Sequence, residues 1–333
     1  MKPPTTVALL AALGLAFATN ASGAATPRRP PETIRVAGKE YVRLSDWAKA
    51  SGLELSSSRG PGREETLQLS NRSSKLSLTV DSREAKVNGV TVWLLFPVAA
   101  RNGAAYVSRL DLQTTFAPLL TPPKPQSGAR IKTICLDPGH GGKDPGNRVG
   151  RQEEKKHTLL LAQEIRDQLT RAGLKVTLTR ATDSFVELPE RSRLAGRRNA
   201  DLFVSLHFNS AETARNTVRG AEVYCLTPAG ASSTNARGEG GGGSFAGNRF
   251  NAKNIFLAYQ VQKALTRSLA VEDRGVRRAR FAVLRDAVMP AVLIEAGFMS
   301  HPAEGRKIFD PAYRRQMAKA IADALLAYKA AVE

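Results

Sequence analysis

The chain has 333 residues, and 42% of them are hydrophobic, so it can fill folded cores and a largely disordered protein is excluded. Lysine and arginine number 49 against 30 aspartates and glutamates, which gives a formal net charge of +19. A surface of that charge attracts polyanions, namely nucleic acid, anionic lipid or an acidic cell-wall polymer. The charge by itself does not distinguish among these three partners.

Residues 1–24 have the pattern of a secretory signal peptide. One lysine precedes an apolar run from Val7 to about Ala18, and small residues then lead to a predicted cleavage site near Ala24. The run is shorter than the roughly 20 apolar residues that span a bilayer, so an uncleaved anchor is the less favoured alternative. We therefore expect a chain secreted across the cytoplasmic membrane into the periplasm or cell wall. It should keep no stable membrane span after cleavage, and it should have no nucleic-acid partner.

Residues 34–119 predict a small α+β accessory domain. The segments "KLSLTV" and "AKVNGVTVWLL" alternate as hairpin strands do, and Asn88 followed by Gly89 is a strong signal for a tight turn. The next segment, residues 120–130, is rich in proline and polar residues, so we expect a linker there.

From residue 131 to residue 333, apolar strand-like segments alternate with helical ones. The strand-like segments are "KTICLD", "KVTLTR", "DLFVSLHF", "AEVYCL" and "AVLIEAG", and the helices include "KHTLLLAQEIRDQLTRAG" and "NIFLAYQVQKALTRSLA". This alternation predicts an α/β domain of three layers, with a mostly parallel sheet flanked by helices. Ligands of such sheets collect at the carboxyl ends of the strands. A Gly-rich stretch, residues 230–250, predicts a long loop.

The only two cysteines, Cys135 and Cys225, both lie in apolar strand-like runs. They could pair in an oxidising compartment, but two buried thiols that pack as small hydrophobic groups are the favoured interpretation. The chain has no CxxC spacing, so the pattern does not indicate a metal-binding pair of cysteines.

Two of the four histidines, His140 in "ICLDPGH" and His207 in "FVSLHF", come at or near the ends of predicted strands. If these strands are parallel, both imidazoles reach one edge of the sheet. Glu153 and Glu154 precede the helix that returns from that edge. Two histidines and one carboxylate leave the fourth position of a tetrahedral zinc open, as in hydrolytic zinc sites. Taken singly, a strand-end histidine is more often a structural residue, and a carboxylate pair at a helix start is favoured by the helix dipole alone.

A further acidic residue, Glu295, follows the apolar run of "AVLIEAGFMSHP". A carboxylate in a buried strand destabilises the fold unless it is paired, so it is a candidate for the base that accepts a proton from water, with a structural pair to an arginine as the alternative. The other two histidines carry no such signal. We expect His157 to be an exposed helix residue and His301 to lie in a proline-flanked turn.

Residues 131–332 closely resemble the zinc-dependent N-acetylmuramoyl-L-alanine amidases of the amidase-3 family. The resemblance is carried, in order, by "DPGHGGKDPG", "EKKHTLLLA", "VTLTRATDSFVELPERSRLAGRRNADLFVSLHFNSA", "RGAEVYCL" and "RGVRRARFAVLRDAVMPAVLIEAGFMSHPAE". It implies hydrolysis of the amide bond between N-acetylmuramic acid and L-alanine in peptidoglycan by a zinc-activated water. It also implies zinc ligands at His140, Glu154 (rather than Glu153) and His207, with Glu295 as the catalytic glutamate.

Some family members insert an acidic helix that plugs the zinc site until a protein activator binds. The corresponding segment here, residues 229–252, is rich in glycine and serine and has one acid, Glu239, so a plug of that type is not expected and the need for an activator stays open. Residues 34–119 resemble the small domain named after the copper amine oxidase N-terminus. Because this segment has no histidine or cysteine, a copper site is not expected. Its tryptophans, Trp47 and Trp93, are expected to pack in a core, with stacking on sugar rings as the alternative.

The sequence therefore predicts a secreted, zinc-dependent peptidoglycan amidase that acts in cell-wall remodelling or in the separation of daughter cells. Its positive charge suits an anionic wall polymer. Two alternatives remain open at this stage. One is another zinc-dependent cell-wall hydrolase, such as a peptidase or deacetylase, and the other is a wall-binding protein without catalytic activity.

Overall fold

The structure is a computed structural model that describes residues 30–60, 64–124, 128, 130–234 and 242–333. The predicted signal peptide lies outside the described residues, as do parts of the predicted linker and loop, including Glu239. Residues 31–333 form one compact unit. Within the described part of the chain, none of the helices is both long and apolar enough to cross a membrane.

The strands include most of those that the sequence predicts. In chain order they are β1 (Thr33–Val36), β2 (Lys39–Arg43), β3 (Glu54–Arg59), β4 (Glu65–Ser70), β5 (Lys75–Thr79), β6 (Glu84–Val87), β7 (Val90–Trp93), β8 (Ala99–Arg101), β9 (Ala104–Ser108), β10 (Thr133–Pro138), β11 (Arg148–Val149), β12 (Gln152–Glu153), β13 (Lys175–Leu178), β14 (Leu202–Asn209), β15 (Ala221–Leu226), β16 (Asp273–Ala279) and β17 (Ala291–Phe298).

The helices are concentrated in the second part of the chain. They are α1 (Leu44–Ala50), α2 (Arg109–Asp111), α3 (Ala117–Leu120), α4 (Glu154–Arg171), α5 (Leu188–Arg197), α6 (Asn251–Leu269), α7 (Ala282–Arg285), α8 (Pro302–Phe309) and α9 (Pro311–Val332). A π-helical turn, Leu112–Phe116, joins α2 to α3, and a 3-10 turn, Ala246–Phe250, leads into α6.

The second part of the chain has the predicted three-layer α/β architecture. Its strands lie in the order β13-β10-β14-β17-β15-β16, and every neighbouring pair is parallel except β15 with β17. Successive side chains of a strand point to opposite faces. Accordingly Ile134 packs in the core beneath α4, α6 and α9, whereas Cys135 packs in the second core beneath α5 and α7. The mostly parallel sheet between two helical layers is therefore confirmed.

The N-terminal region is rich in strands and has short helices. Strands β3 to β7 form an antiparallel meander, and β1, β2, β9 and β8 form a separate 4-stranded sheet. The predicted turn joins β6 to β7, with Asn88 at φ 49° and Gly89 at φ 84°. A two-residue hairpin turn with two positive φ angles favours this Asn-Gly pair, because glycine adopts such angles without strain.

The two regions share one sheet. Strand β7 pairs in parallel with β16 through Val92 and Val276, so the meander extends the sheet of the second region to 11 strands. Side chains reinforce the junction, since Asp273 Oδ2 accepts a hydrogen bond from the Thr91 backbone N–H at 2.7 Å. The fully buried Arg278 donates from Nη2 to the Thr114 carbonyl oxygen at 2.7 Å. Backbone and side-chain polar groups of the N-terminal region thus find partners in the second region.

Both cysteines are free and fully buried. Cys135 lies in β10 and Cys225 in β15, and two other strands separate β10 from β15 in the sheet. Burial raises the pKa of the Cys135 thiol to about 11, so it stays protonated at neutral pH. The interpretation of two buried thiols is confirmed.

Candidate active site

The site begins where β10 ends and the chain turns sharply. His140 has a φ of 62°, a backbone conformation that residues other than glycine rarely adopt. Gly141 and Gly142 follow with φ of 125° and 56°. Glycine is also required just before the turn, because a Cβ atom on Gly139 would lie 2.6 Å from Nε2 of His207. The glycines around His140 therefore allow two imidazoles to approach each other closely.

Two buried arginines hold this turn in place. Arg191 donates from Nη1 to Asp137 Oδ1 and from Nη2 to the His140 carbonyl oxygen, both at 2.9 Å. Arg180 donates from Nη2 to the Gly139 carbonyl oxygen at 2.8 Å. Because each guanidinium binds several backbone oxygens at once, the strained conformation of the turn is fixed by the surrounding fold.

His140, Glu154 and His207 converge at the carboxyl edge of the sheet. Nε2 of His140 lies 3.1 Å from Oε2 of Glu154, and Nδ1 of His207 lies 3.1 Å from Oε1 of the same carboxylate. One ligand atom from each of the three residues can be chosen so that all lie within 4.8 Å of one another. The three elements involved are the turn after β10, the first residue of α4 and the end region of β14. The sequence pattern predicted that these residues lie at one edge of the sheet, and in the structure they form one cluster.

The donor set fits zinc. Zinc binds imidazole nitrogen and carboxylate oxygen at about 2.0–2.2 Å, which puts neighbouring ligand atoms of a tetrahedral site roughly 3.3 Å apart. The 3.1 Å separations between the carboxylate and the two imidazoles are close to that spacing. In addition, Oδ2 of Asp144 lies 2.8 Å from Nδ1 of His140. A carboxylate on the second ring nitrogen orients an imidazole and raises its basicity as a metal ligand.

Glu154 is almost completely buried and fully hydrogen-bonded. Its Oε2 accepts from the backbone and side-chain nitrogens of Asn147, and its Oε1 accepts from the Phe208 backbone N–H at 3.0 Å. Burial opposes its ionisation, but His140 and His207 outweigh that effect and hold the pKa of Glu154 well below 4.5. Burial likewise lowers the pKa of His140, and the carboxylates beside it more than compensate, so its pKa is raised. Glu154 is therefore a preformed anion facing two imidazoles.

Glu295 lies beside this cluster on β17. It pairs in register with His207 of β14 on one side and with Glu222 of β15 on the other, so the three side chains project from the same face of the sheet. Its Oε2 is buried and has no hydrogen-bond partner in the described structure. Burial, followed by the charges of Glu154 and Glu222, raises the pKa of Glu295 well above 4.5. A carboxyl group with a raised pKa holds a proton more readily than an ordinary glutamate does, as a group that accepts and returns a proton requires.

A family model described as N-acetylmuramoyl-L-alanine amidase matches residues 134–327, which is more than half of the chain. The chain belongs to this amidase-3 family. The matched range begins in β10 and ends in α9, so it includes all four residues of the site. The family membership predicted from the sequence motifs is confirmed.

Named relatives of this chain share the same region. N-acetylmuramoyl-L-alanine amidase AmiC of Neisseria meningitidis is 36% identical over 234 residues, which cover 62% of this chain and 56% of the relative. The solved structure of AmiC2 of Nostoc punctiforme has a TM-score of 0.50 and 33% identity, and it covers 60% of this chain and 98% of that one. The CwlD amidase of Clostridioides difficile, solved in complex with the GerS lipoprotein, has a TM-score of 0.50 and 27% identity, with 59% and 98% covered. This chain thus spans 56% of the length of the Neisseria relative.

The other candidate residues that the sequence offered lie outside the cluster. Glu153 forms an ion pair with Arg148 at 3.0 Å. His157 is buried rather than exposed, contrary to the prediction, because its ring packs against Phe309 and its Nε2 lies 2.8 Å from Oε1 of Gln152. Burial, followed by positive charges nearby, lowers its pKa to about 4.

His301 caps a helix of the amidase domain. Its Nδ1 accepts the Glu304 backbone N–H at 3.2 Å, at the start of α8. Neither His157 nor His301 therefore contacts the cluster.

Sequence reasoning missed several groups that support the amidase site. They are Asp137, Asp144, Arg180, Arg191 and Glu222. The motif "DPGHGGKDPG" contains the first two, and the spacing of four residues between His140 and Asp144 was the one available signal for a supporting carboxylate. The two arginines act through backbone oxygens, which no spacing in the sequence reveals.

Proposed function

We propose that this chain is a zinc-dependent amidase that hydrolyses the amide bond between N-acetylmuramic acid and L-alanine in peptidoglycan. The observation that supports this most directly is the convergence of His140, Glu154 and His207 beside the buried carboxyl group of Glu295, in a chain of the amidase-3 family. In this proposal residues 131–333 form the catalytic domain, residues 34–119 an accessory domain and residues 120–130 the linker between them.

His140, Glu154 and His207 would hold the zinc ion. A zinc ion bound there would act as a Lewis acid toward the scissile carbonyl and would lower the pKa of water to about 7. Asp144 supports this role of His140, because its carboxylate fixes the orientation of the ring. Arg180 and Arg191 keep the turn that presents the ring in its strained conformation.

Glu295 would move the proton in this reaction. Its unpartnered Oε2 would accept a proton from the attacking water as the new carbon–oxygen bond forms. The same oxygen would deliver that proton to the alanine nitrogen as the carbon–nitrogen bond breaks. The products are a lactyl carboxylic acid on the sugar and a stem peptide with a free amino terminus. A carboxyl group with a raised pKa suits this dual role, because it can hold the proton between the two steps.

Secretion and the wall environment are part of the proposal. The predicted signal peptide and the charge of +19 support export to the periplasm or cell wall and retention on an anionic network. A protein partner that controls activity would parallel the complex formed by the CwlD relative with a lipoprotein.

Product analysis tests the proposed function. The zinc-loaded protein should release from purified wall sacculi stem peptides that begin with L-alanine, and the glycan should keep intact muramic acid, as measured by mass spectrometry. The variant Glu295→Gln should bind zinc as the parent does and release stem peptide at least about 100-fold more slowly, as expected on loss of a general base. Peptides cut at an internal bond, or an unchanged rate for Glu295→Gln, would contradict the proposal.

A further inference from the structure

Arg274 lies at the same edge of the sheet as the candidate active site. Because β15 and β16 run antiparallel to β17, their first residues meet the carboxyl ends of β14 and β17. Glu222 of β15 pairs with Glu295 on one side and with Gly275 of β16 on the other. Two strand spacings, about 10 Å, therefore separate the backbone of Glu295 from the start of β16.

The side chain of Arg274 is held in a fixed position. Its Nε donates to Oε2 of Glu222 at 3.1 Å, and its guanidinium lies over the ring of Phe298 with 4.9 Å from Cζ to the ring centroid. The indole nitrogen of Trp93 donates to the Arg274 carbonyl oxygen at 2.9 Å, so the accessory region holds the backbone here. These contacts leave 26% of the side chain exposed. Within the described ranges, no group accepts a hydrogen bond from its two Nη atoms.

Glu222 contacts two arginines through one of its oxygens. Oε2 of Glu222 also lies 2.9 Å from Nε of Arg277, so one buried carboxylate serves two guanidinium groups. Oε1 of Glu222 accepts from Asn209 Nδ2 at 3.0 Å and from the Tyr224 hydroxyl at 2.9 Å. With both oxygens occupied, Glu222 positions the two arginine side chains.

A planar guanidinium with two outward donors matches a carboxylate, which accepts two parallel hydrogen bonds from it. In peptidoglycan, the second residue of the stem peptide is a glutamate linked through its side chain, and its α-carboxyl group is free. That group follows the scissile amide by two residues. An extended chain advances about 3.4 Å per residue, so this α-carboxylate lies roughly 7 Å from the scissile amide. The side chain of Arg274 extends from a backbone about 10 Å from that of Glu295, so its guanidinium is within reach of the α-carboxylate.

We propose that Arg274 binds the α-carboxylate of the second stem-peptide residue and so selects substrates in which this group is charged. The inference rests on the proposed function, because it takes the stem peptide as the ligand and Glu295 as the site of bond cleavage. Glu222, Phe298 and Trp93 are positioning residues for this contact.

Two matched substrates test the inference. They are soluble, uncross-linked glycan chains that differ only in whether the second stem residue carries an α-carboxylate or an α-carboxamide. For the zinc-loaded parent we expect kcat/KM to favour the carboxylate by about tenfold or more, as one hydrogen-bonded ion pair provides. Arg274→Gln should lower kcat/KM for the carboxylate to the level of the carboxamide, mainly through KM. Arg274→Lys should keep part of the preference, because it retains the charge and loses the planar fork.

Arg315→Gln is the matched control, since it removes the same charge from an exposed position on α9. It should retain the preference of the parent, and all variants should bind one zinc. A parent ratio near one, or an Arg274→Gln variant that lowers both rates equally and keeps the ratio, would overturn the role of Arg274. A parent that cleaves neither substrate would instead remove the proposed function, so the two failures are distinguishable.

Discussion

Replacing Gly139 by alanine tests the geometry of the metal cluster most sharply. The added Cβ would lie 2.6 Å from Nε2 of His207 and still closer to Cε1 of the same ring, whereas ordinary contacts begin at 3.4 Å, so the imidazole has to retreat by at least about 0.8 Å. Metal–ligand distances tolerate about 0.2 Å. The displacement therefore removes His207 as a ligand. We expect zinc affinity to fall by about 100-fold or more and the rate on sacculi to fall at least as much.

The assay is competition for zinc with a chromophoric chelator, followed by activity at a zinc concentration that saturates the parent. Gly243→Ala is the matched control, because a Cβ there meets no atom within 4 Å. The control should bind zinc and cleave sacculi like the parent. If Gly139→Ala binds zinc as tightly as the control does, then His207 does not approach the turn as described, and the steric reasoning is refuted.

Asp144→Asn should lower zinc affinity by about 10- to 100-fold, because His140 loses the carboxylate that orients it, while the free energy of unfolding in chelator changes by less than about 1 kcal/mol. The chelator-treated protein should lose stability as the pH falls from 6.5 to about 4, because the unfolded state protonates His157 in this range and the folded state does not. The loss should approach about 3 kcal/mol in urea titrations and shrink in His157→Gln. Deleting residues 31–119 should make the protein largely insoluble, because the deletion exposes the edge of β16 and the buried Arg278. The measurement is the fraction of the product that is recovered as soluble monomer on size-exclusion chromatography.

Each of these outcomes has a clear opposite. Unchanged zinc affinity in Asp144→Asn would show that the contact with His140 does not support the metal. A flat pH profile, or an unchanged slope in His157→Gln, would show that the ring titrates freely. A soluble, monomeric and zinc-binding fragment would show that the accessory region is not needed to cover the sheet edge.

The three-layer fold could be predicted because its central strands have almost entirely apolar sequences. The central strands are buried on both faces, namely β10, β14 and β17. Their near-continuous apolar sequences predict a parallel sheet between helices. Strand β16 gave no such signal. Its sequence "DRGVRRA" has four charged residues, yet Arg278 within it is fully buried and hydrogen-bonds to the N-terminal region. A strand stabilised by partners that are distant in sequence cannot be found from periodicity.

The same distinction separates the predicted from the missed parts of the site. His140, His207 and Glu295 could be identified because each breaks an apolar run at the end region of a strand. Asp144 and Arg191 could not, because their roles depend on the path of the turn after β10 and on backbone oxygens there. The exposed position predicted for His157 was wrong because the ring of Phe309, the last residue of α8, packs against it and α9 packs along α4. The amphipathic pattern of one helix does not reveal such partners.

The shared sheet of the two regions also could not be predicted from the sequence pattern. A proline-rich segment favours two separate bodies, but pairing between β7 and β16 depends on matched strand edges. Trp93 illustrates the result, since its ring lies under the guanidinium of Arg277 with 4.6 Å from Cζ to the centroid. It thus packs at the junction of the two regions.

The most direct test of the central claim is to locate the metal in crystals of the zinc-loaded protein by anomalous scattering at the zinc absorption edge. We predict one strong peak per chain, within bonding distance of His140, Glu154 and His207, with the carboxyl group of Glu295 facing it. A peak elsewhere, or none at saturating zinc, would contradict the assignment of this cluster as a metal centre.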